Sequence, residues 1–131
     1  MNSDYKDKRT VKSQGVLSSF TNAIKGIHTA LTSERNMKIH SAMAVIVMVL
    51  GFFLRLSATE WLFILSAIGG VIALELVNTA VEKVVDLVTS DFHPLAKQAK
   101  DICAGAVFVY AVLSVIIGII IFLPKLIKIV L

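Results

Sequence analysis

Three long apolar runs dominate the pattern of hydrophobic and polar positions along the chain. The first covers residues 37–56, the second starts at Trp61 and continues to residue 88, and the third covers residues 97–123. A membrane-spanning helix needs about 20 mostly apolar residues, and each run reaches that length. The second run is purely apolar to Leu74 and then amphipathic, so its last part is predicted to extend into the cytoplasm. We therefore predict three transmembrane helices, with Pro124 ending the third.

A shorter amphipathic segment, residues 15–34, precedes the first run. Its apolar residues follow each other in steps of three and four, which places them on one face of a helix. They are Leu17, Phe20, Ile24, Ile27 and Leu31. The segment is too polar to cross a bilayer, so we predict that it lies on the membrane surface or packs on the protein's own helices. Residues 1–14 are polar and are predicted to form a flexible tail without a secretory signal peptide.

The expected fold is therefore all-α. The chain is predicted to be an integral membrane protein with an N-terminal amphipathic surface helix and three transmembrane helices, in a single membrane domain over residues 15–131. Hydrophobic residues make up 56% of the 131-residue chain, which agrees with this class. The single cysteine, Cys103, excludes a framework of intramolecular disulfides and is expected to be a small core residue.

The distribution of basic residues predicts the orientation of the spans. Most lysines and arginines precede the first span or lie between the second and the third, whereas the other side carries Arg55, Lys125 and Lys128. The positive-inside rule therefore places the N-terminus in the cytoplasm and the C-terminus outside. The net charge of +4 comes from residues at the ends of apolar runs without interleaved aromatic residues. This pattern indicates a membrane surface rather than a nucleic acid as partner.

Carboxylates follow directly on the second apolar run. On an ideal helix the polar residues of this segment share one face, and they are Glu75, Asn78, Thr79, Glu82 and Asp86. Facing them toward lipid would be unfavourable, since one Asp or Lys at mid-helix costs about 2.5–3.5 kcal/mol. Charged groups inside the membrane usually serve a function. For Lys83 and Asp86, a water-exposed helix face beyond the membrane explains the pattern equally well.

Such a polar face suits phosphoryl transfer at a membrane interface. Mg²⁺ prefers one or two carboxylates together with phosphate oxygens, and a partly desolvated carboxylate such as Glu75 can act as a general base near neutral pH. Lys100 and His93, in the loop that follows, can contact phosphates. The chain has no GxxxxGK[ST] loop, kinase glycine-rich loop or CxxC pattern, and its three histidines lack the spacing of zinc ligands.

Two other classes of function are compatible with these residues. A small oligomeric proton-coupled transporter could use Glu75 as its intramembrane carboxylate, although the chain lacks inverted repeats. A structural membrane subunit would carry no chemistry, and substitution of its carboxylates would change only stability.

Two stretches resemble the signature of the prokaryotic diacylglycerol kinase family. They are ELVNTAVEKVVDLV from Glu75 and HPLAKQAKDICAGAV from His93, and ERN with His40 and KGI at Lys25 fit as well. The likeness covers nearly the whole chain beyond the tail. It implies a three-span lipid kinase of the bacterial cytoplasmic membrane, assembled as a homotrimer with active sites shared between subunits. Such enzymes transfer the γ-phosphate of MgATP to a lipid hydroxyl.

The resemblance also implies roles for individual residues. Glu75 is expected to be the general base, and Glu34 and Glu82 are expected to bind Mg²⁺. Asn78 and Asp86 are expected to be supporting polar groups. Contacts to the nucleotide are expected from five further residues: Asp91, Phe92, His93, Lys100 and Asp101. From the residues alone, Glu34 is indistinguishable from a solvated loop charge.

The same stretches are more similar to the Gram-positive branch of the family than to the enteric one. Enteric members carry a Trp where Ile24 stands, a Tyr near Asn22 and an Arg near Gly15. A nucleotide-binding role is therefore not carried over to the first helix, although Lys12 in the preceding tail could substitute. The Gram-positive branch is associated with undecaprenol, the polyprenyl carrier of cell-wall synthesis. The expected acceptor is therefore undecaprenol, and the alternative is diacylglycerol, which would yield phosphatidic acid.

Overall fold

Helices are the only regular secondary structure in the described part of the chain. The computed structural model describes residues 15–89 and 91–131, which form four α-helices and contain no strand. These are α1 (Val16–Ser33), α2 (Arg35–Phe53), α3 (Ala58–Val88) and α4 (Pro94–Val130). The predicted all-α fold is confirmed. The predicted flexible tail and Lys12 lie outside the described residues.

Helices α2, α3 and α4 are each long and apolar enough to cross a membrane, over Arg35–Phe53, Ala58–Val88 and Pro94–Ile129. The three predicted spans are therefore present as helices. Their bounds differ from the predicted ones by a few residues because local capping decides where each helix starts. For α4, Pro94 occupies the first turn, where its missing N–H removes no helical hydrogen bond.

Helix α3 starts at Ala58, three residues before the predicted start at Trp61, because a capping box fixes it there. The Ser57 side chain accepts a hydrogen bond from the Glu60 N–H, and the Glu60 carboxylate accepts one from the Ser57 N–H at 2.7 Å. Two backbone donors that a helix end leaves unpaired are thereby satisfied. The turn before it contains Arg55 in the left-handed region, with φ of 51°, so α2 ends at Phe53 and not at residue 56.

Pro124, which was predicted to end the third span, does not end its helix. Helix α4 continues through Pro124 to Val130. A proline inside a helix removes one backbone hydrogen bond, and transmembrane helices tolerate this loss because neighbouring groups satisfy the freed carbonyl. An ion pair between Lys125 Nζ and Glu60, at 3.1 Å, also holds the segment after the proline against the start of α3.

Helices α3 and α4 form the most extensive helix pair of the fold. Their close approach depends on Gly70, because a Cβ built there would overlap the ring of Tyr110. The Tyr110 hydroxyl donates to the Ser66 carbonyl at 3.3 Å, and the Ser114 hydroxyl to the Ala67 carbonyl at 3.4 Å. Gly70 therefore lets two helices of one chain pack closely.

A hydrophobic cluster closes the bundle where α2 meets α3, and we call this the Trp61 end. Its buried members are Leu56, Ile64, Ile121 and Phe122, and Trp61 packs against them. The opposite end, where α1 meets α2, is called the Glu34 end. Most remaining apolar side chains of the three spans are exposed, as expected for surfaces that face lipid. Cys103 is half-buried rather than part of the core.

Helix α1 packs only weakly on the rest of the chain. Ala30 is its one buried residue, whereas the apolar stripe predicted from the sequence is largely exposed. Phe20 and Ile24 have about two-thirds of their surface accessible, at 65% and 66%. The stripe therefore does not pack on helices of the same chain, which leaves it available to a membrane surface or another subunit.

Candidate active site

Glu75 is the most deeply buried charged residue described. Only 2% of its surface is exposed, although it lies on a helix that is apolar for many residues before it. The Asn36 side chain lies close to its carboxylate, while Glu75 Oε2 has no hydrogen-bond partner among the described residues. A buried carboxylate oxygen without a hydrogen-bond partner destabilises the folded state, so its presence here indicates a functional rather than a structural group.

The junction of α1 and α2 covers Glu75. Glu34 is the residue between these two helices, and Ala30 and Met37 on either side of it are almost completely buried. This packing brings His40 and Glu34 close enough to Glu75 for electrostatic interaction, together with Glu82 of α3. The structure therefore brings Glu34, predicted through the resemblance alone, to the polar face of α3.

Asn78 connects the buried and the accessible parts of that face. Its Nδ2 donates a hydrogen bond to Glu82 Oε1 at 3.0 Å, and its Oδ1 is buried without a partner among the described residues. Asn78 and Thr79 are each 5% exposed, Glu82 is half-buried, and Asp86 is exposed. The polar face thus runs from a dry interior to solvent, as the sequence predicted.

Glu34 and Glu82 have the chemistry of a Mg²⁺ site that a substrate would complete. Glu34 Oε1 accepts a hydrogen bond from Ser33 at 2.8 Å and pairs with Lys83 at 3.6 Å. In residues 15–89 and 91–131, no group of three or more His, Cys, Asp or Glu side chains could hold a metal by itself. Two carboxylates beside an unpaired amide oxygen fit Mg²⁺, which usually binds one or two carboxylates and completes its shell with water and phosphate oxygens.

A polar cavity of about 350 Å³ lies where α3 ends and α4 begins. Lys100 crosses from α4 to Asp86 of α3, with 2.5 Å between Nζ and Oδ1, and Lys97 pairs with Asp101 at 2.6 Å. The five residues predicted to contact the nucleotide line this cavity: Asp91, Phe92, His93, Lys100 and Asp101. Of the two predicted supporting polar groups, Asp86 lines it and Asn78 does not. The predicted site residues therefore form two sets, one around Glu75 and one around this cavity.

A second cavity, of about 360 Å³, is almost wholly apolar and lies between α2, α3 and α4. We call it the apolar groove. Among its lining residues are His40, Ala67, Val71, Ala111, Ser114 and Gly118. Val71 of α3 also lines the groove and lies one helical turn before Glu75, so one end of the groove adjoins the turn that carries the buried carboxylate. The sequence alone gave no reason to select Asn36, and His40 appeared only as part of a matching motif.

Comparison with known proteins identifies the family. The model of the prokaryotic diacylglycerol kinase family matches residues 21–122. The chain belongs to this family. It is 50% identical to the undecaprenol kinase of Bacillus subtilis, over 94% of this chain and 99% of that protein. It is 40% identical to the diacylglycerol kinase of Synechocystis over 86% of this chain and 65% of that protein.

A more distant relative is the diacylglycerol kinase of Escherichia coli, 28% identical over 70% of this chain and 75% of that protein. The family predicted from the two signature stretches is thus confirmed. The identity with the Bacillus protein supports the predicted Gram-positive branch.

Proposed function

We propose that this protein is a lipid kinase that transfers the γ-phosphate of ATP to the hydroxyl group of undecaprenol. The observation that carries the proposal is the position of Glu75, buried at the point where the apolar groove meets the polar face of α3. A lipid alcohol needs both surroundings at once, because its chain is apolar and its reacting group is polar. The name of the Bacillus relative supports undecaprenol as the acceptor.

Glu75 is suited to activate the acceptor. Its Oε2, which has no hydrogen-bond partner in the described structure, would accept the proton of the lipid hydroxyl. The hydroxyl oxygen then forms a bond to the γ-phosphorus, the bond from that phosphorus to the bridging oxygen breaks, and ADP leaves. The products are the lipid phosphate and ADP, and the proton remains on Glu75 until solvent removes it. General-base catalysis of this kind contributes about 10²–10⁴-fold to rate.

Glu34 and Glu82 are the proposed Mg²⁺ ligands, with Asn78 orienting Glu82 through its 3.0 Å hydrogen bond. The ion would neutralise charge on the phosphate oxygens. Lys83, paired with Glu34, places a further positive charge beside the same carboxylate. Phosphoryl transfer depends mainly on positioning and on charge stabilisation, and these residues can provide both.

The polar cavity is the proposed nucleotide site. Lys100 is the principal candidate for contact with the phosphates, and His93 and Phe92 lie on the same wall. In the structure Asp86 accepts a hydrogen bond from the Lys100 ammonium group, and Asp91 and Asp101 complete the lining of the cavity. An ammonium group that is partly exposed can exchange one anionic partner for another at little cost, because such pairs are weak.

The proposed setting is the bacterial cytoplasmic membrane, with the N-terminus in the cytoplasm. The basic residues between α3 and α4 and before α2 support this orientation. Residues 15–131 are proposed to form one domain, which assembles as a homotrimer with shared active sites. The exposed apolar stripe of α1 and the shallow cavities support surfaces that lipid or another subunit completes.

The experiment that tests the function is phosphate transfer from labelled ATP in mixed micelles with Mg²⁺, with undecaprenol and diacylglycerol offered side by side. Undecaprenyl phosphate as the main product would support the proposal. Phosphatidic acid as the main product would favour the activity named for the Synechocystis and Escherichia coli relatives. Transfer to neither would overturn the kinase proposal, and proton-coupled flux in liposomes would then test the transporter alternative.

A further inference from the structure

The apolar groove ends abruptly toward the Trp61 end. Ile64 and Phe122 line the groove and are also buried members of the hydrophobic cluster that closes the bundle there. Eleven residues separate Glu75 from Ile64 along α3, which corresponds to about 16 Å at 1.5 Å per residue. The hydrocarbon core of a bilayer is about 30 Å thick, so the groove covers about half of that depth.

We propose that this groove binds the hydrocarbon chain of the acceptor lipid next to its hydroxyl group, and that Gly118 determines how much of the chain is bound. The inference rests on the proposed kinase function and adds a specificity-determining residue to it. The occupant is a single linear hydrocarbon chain with a polar end at Glu75. The lining favours such a chain, since His40 stands at the Glu75 end and the rest is almost entirely apolar.

Gly118 keeps the distal part of the groove open. A Cβ built at this residue would meet a single side-chain atom within 4 Å, Phe122 Cδ2 at 4.0 Å. Alanine therefore fits without displacing anything, whereas a leucine side chain would extend into the groove. Ala67 and Ala111, on the facing stretches of α3 and α4, are small as well and keep the walls apart.

The closed end has a consequence for chain length. A chain longer than about 16 Å must leave the groove sideways into lipid, because the cluster of Ile64 and Phe122 blocks its path. The groove therefore contacts only the part of the hydrocarbon chain nearest the hydroxyl group. Prenols that reach the closed end are bound alike whatever their total length, and shorter prenols are bound less tightly because they bury less apolar surface.

The test compares geraniol, geranylgeraniol and undecaprenol as acceptors for the full-length protein in mixed micelles. For the wild type we expect equal KM values for the two longer prenols and a higher KM for geraniol. Gly118→Leu should lower kcat/KM for the longer prenols about tenfold, since displacing roughly two buried methylene groups costs that much. Activity on geraniol, which ends before Gly118, should not change.

One variant serves as the control in the same assay. Ile120→Phe adds bulk to an exposed face of α4 outside the groove, and it should leave kcat/KM for all three acceptors at the wild-type value. If Gly118→Leu lowered kcat/KM equally for all three acceptors, the defect would be general and the proposal would be overturned. A ratio of kcat/KM values among the acceptors that equals the wild-type ratio would likewise overturn it.

A binding measurement separates this inference from the kinase proposal. The measurement is the amount of tritiated geranylgeraniol that the purified protein retains, which requires no turnover. It compares the Glu75→Gln variant with the double variant that carries Glu75→Gln and Gly118→Leu. Weaker binding by the double variant, with unchanged size-exclusion elution, supports the groove. Equal binding by both would refute the groove even if the wild type is an active kinase. Loss of the assembled state in the double variant would assign the groove to contact between subunits instead.

Discussion

Asn78 Nδ2 donates to Glu82 Oε1 at 3.0 Å, one helical turn along α3, and this bond joins the dry part of the polar face to the part that solvent reaches. It fixes the orientation of the amide, so Asn78 Oδ1 is left buried without a partner among the described residues. Three residues of α3, Glu75, Asn78 and Glu82, therefore present a carboxylate, an amide oxygen and a second carboxylate in sequence. This order suits a reaction in which a lipid hydroxyl meets a charged phosphate.

Glu75→Gln should lower kcat by about 10²–10⁴-fold, because the amide cannot accept a proton from the acceptor hydroxyl. The KM for ATP should change little, since Glu75 lies outside the polar cavity. The measurement is steady-state transfer with undecaprenol, together with size-exclusion chromatography to show that assembly persists.

Glu60→Gln is the matched control for this variant. Glu60 lies on the same helix at the Trp61 end, and glutamine can replace glutamate in its capping box. We expect normal activity for Glu60→Gln. Wild-type kcat in Glu75→Gln would remove Glu75 from the role of base.

Glu34→Gln and Glu82→Gln should each raise the Mg²⁺ concentration needed for half-maximal activity by about tenfold or more, since even loss of groups that only orient metal ligands weakens binding by 10–100-fold. Saturating Mg²⁺ should restore part of the activity. The measurement is a Mg²⁺ titration at fixed ATP, with Glu60→Gln again as control. Identical titration curves for variant and wild type would refute the assignment of that carboxylate as a ligand.

Lys100→Met should raise the KM for ATP by roughly ten- to hundred-fold, the equivalent of about 1.5–3 kcal/mol for a hydrogen bond to a charged group. Its effect on the melting temperature should be small, because the pair with Asp86 is partly exposed and such pairs stabilise little. Lys125→Met, which removes a lysine from the same helix at the Trp61 end, should leave the KM unchanged. A lowered melting temperature with a normal KM would make Lys100 a structural residue.

Gly70→Ala should destabilise the α3–α4 pair by about 1–3 kcal/mol, since the added methyl group would overlap the Tyr110 ring. Gly69→Ala on the same helix should be tolerated, because a Cβ there meets nothing within 4 Å. The measurement is the midpoint of thermal unfolding in detergent. Combining Gly70→Ala with Tyr110→Ala should cost less than the sum of the two single changes. Strict additivity would show that the ring and the glycine are not in contact.

The fold was largely predictable from the sequence because lipid imposes strong rules on composition and length. Apolar runs long enough to cross a bilayer identified all three spans, and the periodicity of the first segment identified α1. Helix ends were less predictable, since they depend on individual hydrogen bonds such as those between Ser57 and Glu60. Pro124 misled the prediction because the rule for soluble helices is relaxed in lipid.

The candidate site was predictable only where its residues share one helix. The period of α3 placed Glu75, Asn78 and Glu82 on a common face, and the structure agrees. Glu34 and His40 reach that face through packing between distant parts of the chain. No local pattern encodes such a contact, so these residues could be selected only through likeness to a family.

The length of α4 has a consequence for the membrane itself. The 23 residues between Asp101 and Lys125 are uncharged and mostly apolar, and as a helix they are about 34 Å long. A hydrocarbon layer of about 30 Å is thinner than this segment, so α4 fits the layer by tilting or by locally thickening it. Because α3 and α4 are packed along their lengths, we expect the pair to tilt as one body in a thinner bilayer. Bilayer thickness is therefore expected to set how far the polar cavity, at one end of this pair, stands from the membrane surface.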